Sequence, residues 1–337
     1  MNERLPALCY VDDSRPGITR KRHGRYWQYL DAKGKRITDR DEIDRLNAVG
    51  MPPAYEKVWF CPDPNGHIQA VGYDDRGRKQ YRYHPDFREK QEAAKYDRCA
   101  DFGKILPKLR KRVEADLRKR KLARDTVVAA VVRLLDTGRI RVGNEAYVKD
   151  NKSYGATTLR NRHAKVLGRT VKMRFKAKSG IERELSITDR TLSRIVKSCQ
   201  DLPGQNLFQY LDDDGEAQPI SSTDVNDYIR EATGGDFTAK HFRTWSASVI
   251  AFEQICAAGD EGVGLQAMLE PVAEALGNTP AISRKSYVHP ALIDAVKDAK
   301  GGFGLQCPRP TKYLSSAERG LIAFLGGKRA RKASARR

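Results

Sequence analysis

The chain has 337 residues, with 63 Lys and Arg against 43 Asp and Glu, giving a formal charge of +20. Its 39% hydrophobic and 31% charged shares are enough for a folded core and exclude a wholly disordered chain. No run of about 18 apolar residues is present, which excludes a membrane-spanning helix, and Met1 to Pro6 hold no apolar signal core. We therefore expect a cytoplasmic protein. The positive excess points to a polyanion, of which nucleic acid is the commonest, or to a basic protein kept soluble by its charge.

The first hundred residues read as a small, strand-rich module. Thr38-Asp39-Arg40-Asp41 opens a short helix through Leu46, and Gly50 and Pro52-Pro53 end it. Val58-Trp59-Phe60, His67 to Tyr73 and Lys79 to His84 read as an antiparallel meander, punctuated by Asp63-Pro64-Asn65-Gly66 and Asp75-Arg76-Gly77. Alternation puts Gln80, Arg82 and His84 on one face of the last strand and Lys79, Tyr81 and Tyr83 on the other. Such a strand can hold phosphates and offer Gln or Tyr to a base edge, or it can be a solvated outer face.

Helical patterns follow from about Tyr83. Lys104 to Arg124 carry ten basic residues and two acids, and Thr126 to Leu135 read as a buried apolar helix. A hairpin is predicted where Val171, Met173 and Phe175 alternate, Lys178-Ser179-Gly180 turns, and Ile181, Leu185 and Ile187 return. Five helices are then expected: Arg190–Asp201, Thr223–Ala232, Thr238–Ala257, Leu265–Leu276 and Pro280–Asp298. Residues 326–337 hold six basic residues and no acid and read as a flexible basic tail. We thus expect an α+β chain. A β-rich N-terminal domain occupies 1–90, a mostly helical domain with a hairpin occupies 91–325, and the tail occupies 326–337.

Metal chemistry finds no support in the spacing. No two of the six cysteines lie within four residues, and the six histidines form no HExxH or HxxxH pattern. Arg141 lies between Ile140 and Val142 near a core edge, where its charge needs a phosphate or a carboxylate such as Glu145. Lys178 at a hairpin tip is by itself an ordinary exposed lysine, and nothing intrinsic marks Tyr287 among fourteen tyrosines.

The order of segments says more than any one of them. Arg141-Val142-Gly143-Asn144, the Lys178 hairpin, Lys240-His241-Phe242-Arg243, and Gly277-Asn278-Thr279 running to Ser286-Tyr287 resemble the type IB DNA topoisomerases in their short poxvirus-like and bacterial form. Gly72-Tyr73-Asp74 with Gly77-Arg78-Lys79-Gln80-Tyr81, and Tyr154-Gly155 through His163, extend the resemblance over nearly the whole chain.

The resemblance implies reversible cutting of one strand of duplex DNA through a 3′-phosphotyrosyl link. It further implies strand swivelling and religation without ATP, metal or other cofactor. Tyr287 matches the nucleophile, Arg141 and Arg243 the phosphate-binding arginines, and Lys178 the general acid. Lys240 matches a supporting basic position. Asn278 stands where poxvirus-type members carry His, so this position is expected to work by hydrogen bonding rather than proton transfer. Arg78, Lys79, Gln80, Tyr81 and Tyr147 are the expected DNA contacts, made by a monomer that closes as a clamp around the duplex. A tyrosine site-specific recombinase and a non-catalytic basic DNA-binding protein are the rival readings.

Overall fold

The computed structural model describes residues 8–75, 77–145, 148, 152–298 and 307–334. Tyr147, an expected DNA contact, lies outside the described residues. Two compact units divide the chain, Met1–Lys95 and Tyr96–Arg337. Among the described residues no helix is long and apolar enough to cross a membrane.

The first unit holds a five-stranded antiparallel sheet. Its strands are β1 (Ile18–His23), β2 (Tyr26–Leu30), β3 (Glu56–Phe60), β4 (Ile68–Tyr73) and β5 (Lys79–Tyr83), in spatial order β2-β1-β3-β4-β5. The three-strand meander is present, but two further strands precede it: β1, hidden by its run of basic residues, and the short aromatic β2. Helix α1 (Arg40–Ala48) covers one face, and Ile18, Tyr29, Leu46, Met51, Val58, Phe60 and Ala70 form the core there. Asp39 rather than Thr38 caps α1, accepting from the Asp41 and Glu42 amides. Pairing of Gly72 with Gln80 and Val71 with Tyr81 confirms the expected alternation along β5. Helix α2 (Pro85–Asp97) carries the chain across the division between units.

The second unit is mostly helical. Helix α3 (Cys99–Leu117) buries Phe102, Leu106, Leu109, Val113 and Leu117 along one stripe. Helix α4 (Arg124–Gly138) is buried nearly all round, as its apolar run requires. Strands β6 (Ala164–Leu167), β7 (Thr170–Lys176) and β8 (Glu182–Thr188) form a separate antiparallel sheet, and β7 and β8 are the expected hairpin. Then come α5 (Arg190–Gln200), the small hairpin β9 (Gln209–Leu211) and β10 (Ala217–Pro219), and α6 (Ser222–Thr233). Helix α7 (Ala239–Ala258), at the centre of this unit, is followed by α8 (Leu265–Leu276), α9 (Pro280–Ser286), α10 (Pro290–Asp298) and α11 (Ser316–Ser334).

Two differences from expectation bear on the site. The helix expected over Pro280–Asp298 is broken at Tyr287 into α9 and α10. Pro290 disfavours helical backbone at His289, so the chain turns there and restarts with proline at the first helical position. Helix α11 also runs into the segment expected to be a tail, as far as Ser334. It is held by Arg110, which donates to Asp136 and Glu318, while Trp245 donates to Glu318 at 3.0 Å. Many cations of the Lys104 to Arg124 stretch are similarly spent inside the unit: Arg112 and Lys119 pair with Asp116, and Arg124 pairs with Asp224.

Candidate active site

Helix α4 ends with Arg139 in the left-handed region, φ 54°, a conformation that costs a non-glycine residue on the order of 1 kcal/mol. The bend aims the Arg139 carbonyl at Arg243, whose Nη1 donates to it at 2.6 Å. Two residues on, the Arg141 and Val142 carbonyls accept from the Ala156 and Thr157 amides. Gly143 and Gly155 permit this closeness: a Cβ on Gly155 would sit 2.6 Å from the Gly143 backbone. Arg141 is therefore fixed by the backbone at both ends of a short turn.

Arg243 comes from the first turns of α7 and is only 5% exposed. Its Nη2 donates to the Leu276 carbonyl at the end of α8, 3.2 Å away. Its Nε is buried without a partner among the described residues. Among the described residues no carboxylate pairs with it. Burial, with Arg141 adding repulsion, pushes the guanidinium down to about 10. A buried charge so poorly compensated is costly unless an anion completes the site.

Gly277 closes α8 in the left-handed conformation and Thr279 caps α9, accepting from the Ile282 amide. Asn278 is held between these two caps. Its side chain accepts from Arg243 Nη2 at 3.0 Å and donates to the Gly277 carbonyl at 3.2 Å, the amide orientation that satisfies both neighbours.

Tyr287 ends α9, where its amide and that of Val288 both donate to the Ser283 carbonyl at 3.0 Å. The next turn is pinned to α7, because the His289 amide donates to Ser248 Oγ at 3.1 Å. The phenol is half-buried. Arg243 lies 4.7 Å and Arg141 5.9 Å from its ring centre, measured to the guanidinium carbon. Burial works to raise its pKa, but the charges and hydrogen bonds of Arg243 and Arg141 outweigh it, so the phenol lies below the usual tyrosine value.

The structure thus brings together Arg141, Arg243, Asn278 and Tyr287. The alternative partner for Arg141 is answered: Glu145 lies 3.6 Å from Arg160, and no carboxylate pairs with Arg141 among the described residues. Lys178 is exposed at the β7–β8 turn, where Ser179 adopts φ 65° and Ala177 and Ile181 close the loop. It makes no ion pair or hydrogen bond with these four, nor does Lys240, exposed one turn before Arg243. His289 caps α10, its Nδ1 accepting from the Ala291 amide at 3.1 Å.

In the first unit, Arg78 and Gln80 both donate to Asp74, at 2.8 and 3.0 Å. Lys79 pairs with Asp13, and Tyr81 stacks on Tyr83 with centroids 5.8 Å apart. Three supporting residues escaped sequence reasoning. Arg183 on β8 donates to the Glu274 and Ala275 carbonyls, tying the Lys178 hairpin to the end of α8. The others are Ser248 and Arg139. No spacing rule marks them; each acts through a backbone carbonyl or amide.

Two family descriptions match the chain, the catalytic core of eukaryotic DNA topoisomerase I over residues 84–300 and the N-terminal domain of bacterial DNA topoisomerase IB over residues 26–74. The chain belongs to the type IB DNA topoisomerases. It is 33% identical over 286 residues to DNA topoisomerase 1B of Acanthamoeba polyphaga mimivirus, covering 81% of this chain and 85% of that protein. DNA topoisomerase 1 of Mycosarcoma maydis is 24% identical, covering 76% of this chain but 26% of that protein. DNA topoisomerase 1B of vaccinia virus (strain Copenhagen) is 24% identical over 251 residues, 72% of this chain and 76% of that one. The chain is accordingly an isomerase of DNA topology.

Proposed function

We propose that Tyr287 attacks a backbone phosphate of duplex DNA, forming a bond from its phenol oxygen to phosphorus while the bond to the 5′ oxygen breaks. The observation that carries this reading is the pair of guanidiniums over the Tyr287 ring, one of them buried with an unpartnered Nε. Two planar cations meet the charge that gathers on the non-bridging oxygens. The same field favours the phenolate, so it does the work that a separate base would otherwise do. Asn278 has an amide N–H beyond the one given to Gly277 and offers it to a phosphoryl oxygen.

The departing 5′ oxygen needs a proton. Lys178 supplies it from the hairpin turn, since an ammonium on a flexible stem can release a proton and a guanidinium cannot. Lys240 supports the DNA backbone beside Arg243. After cleavage the free 5′ end swivels, and attack of its oxygen on the 3′-phosphotyrosyl reverses the step, so no ATP is consumed. The two units, joined through α2, close on the duplex as a clamp. A monomer suffices. Arg78, Lys79 and Gln80 meet the DNA by exchanging their present acidic partners, Asp74 and Asp13, for phosphates, and Tyr81 joins them from the same strand.

Plasmid relaxation without ATP tests the reading. Wild-type protein should relax both positive and negative supercoils and leave a covalent adduct that maps to Tyr287. Tyr287→Phe should do neither. Relaxation at the normal rate by that variant would sink the mechanism.

A further inference from the structure

The cations expected to grip DNA on β5 are already occupied, Arg78 by Asp74 and Lys79 by Asp13. A cluster of exposed cations without such partners lies at the other side of the same sheet. Strands β1 and β2 form a hairpin whose exposed residues include Lys21, Arg22, His23 and Arg25. Among the described residues none of these four makes an ion pair or side-chain hydrogen bond. Tyr26, paired across the hairpin with His23, is 79% exposed. Cost explains why this is informative. Clustered like charges repel one another, and a large exposed aromatic gains nothing from packing.

The hairpin is nonetheless well built. His23 pairs with Tyr26 around Gly24-Arg25, and Gly24 takes φ 62°, the arrangement of a tight two-residue turn with glycine first. Below the tip, Arg20 stacks 4.0 Å over Trp27 and donates to the Met51 carbonyl at 2.9 Å. Tyr29 is 3% exposed and bonds Asn47. The base is therefore anchored in the core of the unit while the tip stays charged and bare. Alternation sends Lys21, His23 and Tyr26 to one face and Arg22 to the other.

We propose that the β1–β2 hairpin is a second DNA-gripping element. A two-stranded ribbon fits the major groove of B-DNA, about 12 Å wide. Seated there, Lys21, Arg22 and Arg25 contact phosphates on the two walls, and Tyr26 lies against the sugars or base edges. The contact carries little sequence information and sets affinity and register. The proposal rests on the reading that this chain acts on duplex DNA.

The test uses the full-length protein carrying Tyr287→Phe, so that binding is read on uncleaved DNA. Fluorescence anisotropy with a short labelled duplex follows affinity from ~50 to ~200 mM salt, where each phosphate contact contributes about 0.9 to the log–log slope. Adding Lys21→Ala, Arg22→Ala and Arg25→Ala should make the slope shallower by about 2 to 3 and weaken binding by at least about tenfold at ~150 mM salt. Three exposed cations on the next turn provide a charge-matched control, Lys33→Ala, Lys35→Ala and Arg36→Ala. An unchanged slope in the hairpin variant overturns the proposal, and so does an equal change in the control, which would mean that only net charge matters. Both variants should melt with the parent, because every altered side chain is exposed. Failure of wild-type protein to form an adduct would strike the reaction proposed above and leave this binding result readable.

Discussion

The Arg243 guanidinium lies 4.7 Å over the Tyr287 ring, and each of the two is fixed by backbone bonds to a different helix end. Arg243→Ala should therefore have two effects. Removing one preorganised donor should slow single-turnover cleavage by on the order of 10²–10³. The Tyr287 phenol, now held below its usual value, should titrate at higher pH. In the proposed mechanism the phenolate attacks, so the cleavage rate of wild type should rise with pH toward a plateau, and in the variant this limb should shift to higher pH. Ultraviolet titration of the phenolate, taken as a difference from Tyr287→Phe, checks the shift. A slow variant with an unmoved phenol would separate Arg243 from nucleophile activation.

Asn278 already spends its carbonyl oxygen on Arg243 and one N–H on Gly277. Asn278→Ala should slow cleavage by orienting Arg243 less well and by losing the phosphate bond, with a combined cost of about 2 kcal/mol or thirtyfold. An amide does not titrate, so position 278 should give wild type no inflection between about pH 5 and 9. Asn278→His should introduce one near 6.5, the ordinary imidazole value. Identical pH profiles for the two proteins would place this side chain outside the reaction.

Lys178 is exposed on its turn and is free to reach a bound strand. Lys178→Ala should bind duplex normally and cleave it slowly, a loss of on the order of 10²–10⁴ for a missing general acid. Sulfur in place of the 5′ oxygen leaves without protonation. On that substrate the variant should match wild type, and persistence of the defect would remove Lys178 from the acid role.

Much of this was legible in the sequence because the relevant patterns are local. Alternation placed Tyr81 and Gln80 on opposite faces of β5, and the apolar run from Thr126 marked a buried helix. The break at Tyr287 was missed in the single helix expected over Pro280–Asp298, because the restriction that His289-Pro290 places on the backbone outweighs the helical periodicity on either side. Strand β1 was not legible, since Arg20 to His23 hide the period-2 signal behind four basic side chains. Nor were Arg183, Ser248 and Arg139. Arg183 and Ser248 bond backbone atoms distant in sequence, Arg139 offers its own carbonyl to Arg243, and no side-chain pattern encodes a carbonyl's direction.

Ser248 is buried on α7, donates to the Thr244 carbonyl and accepts from the His289 amide. Ser248→Ala removes the acceptor that this amide uses, which should cost on the order of 1 kcal/mol. The turn after Tyr287 then loses its anchor. We expect a lower Tm together with slower cleavage at saturating DNA, since the nucleophile is less well placed. Ser248→Thr, which retains the hydroxyl, should restore rate more than Ser248→Ala does. A stability loss with an unchanged cleavage rate would confine Ser248 to the fold.

Glu318 ties α11 to the core and is 6% exposed. Burial raises its pKa, but Arg110, the Ser315 amide and Trp245 more than offset this, so the carboxyl lies below its usual value. A carboxylate lowered on folding stabilises the protein above its unfolded value, about 4.3, and loses that contribution as pH falls through the lower folded value. Glu318→Gln removes the charge and leaves Asp136 as the carboxylate that still faces Arg110, which should cost about 3 kcal/mol at neutral pH. The Tm gap between wild type and variant should be widest near pH 7 and narrow below about pH 4 as Glu318 protonates. Thermal melts across that range measure it directly. A gap that stays constant down to pH 3 would show that ionised Glu318 contributes through its shape and not its charge.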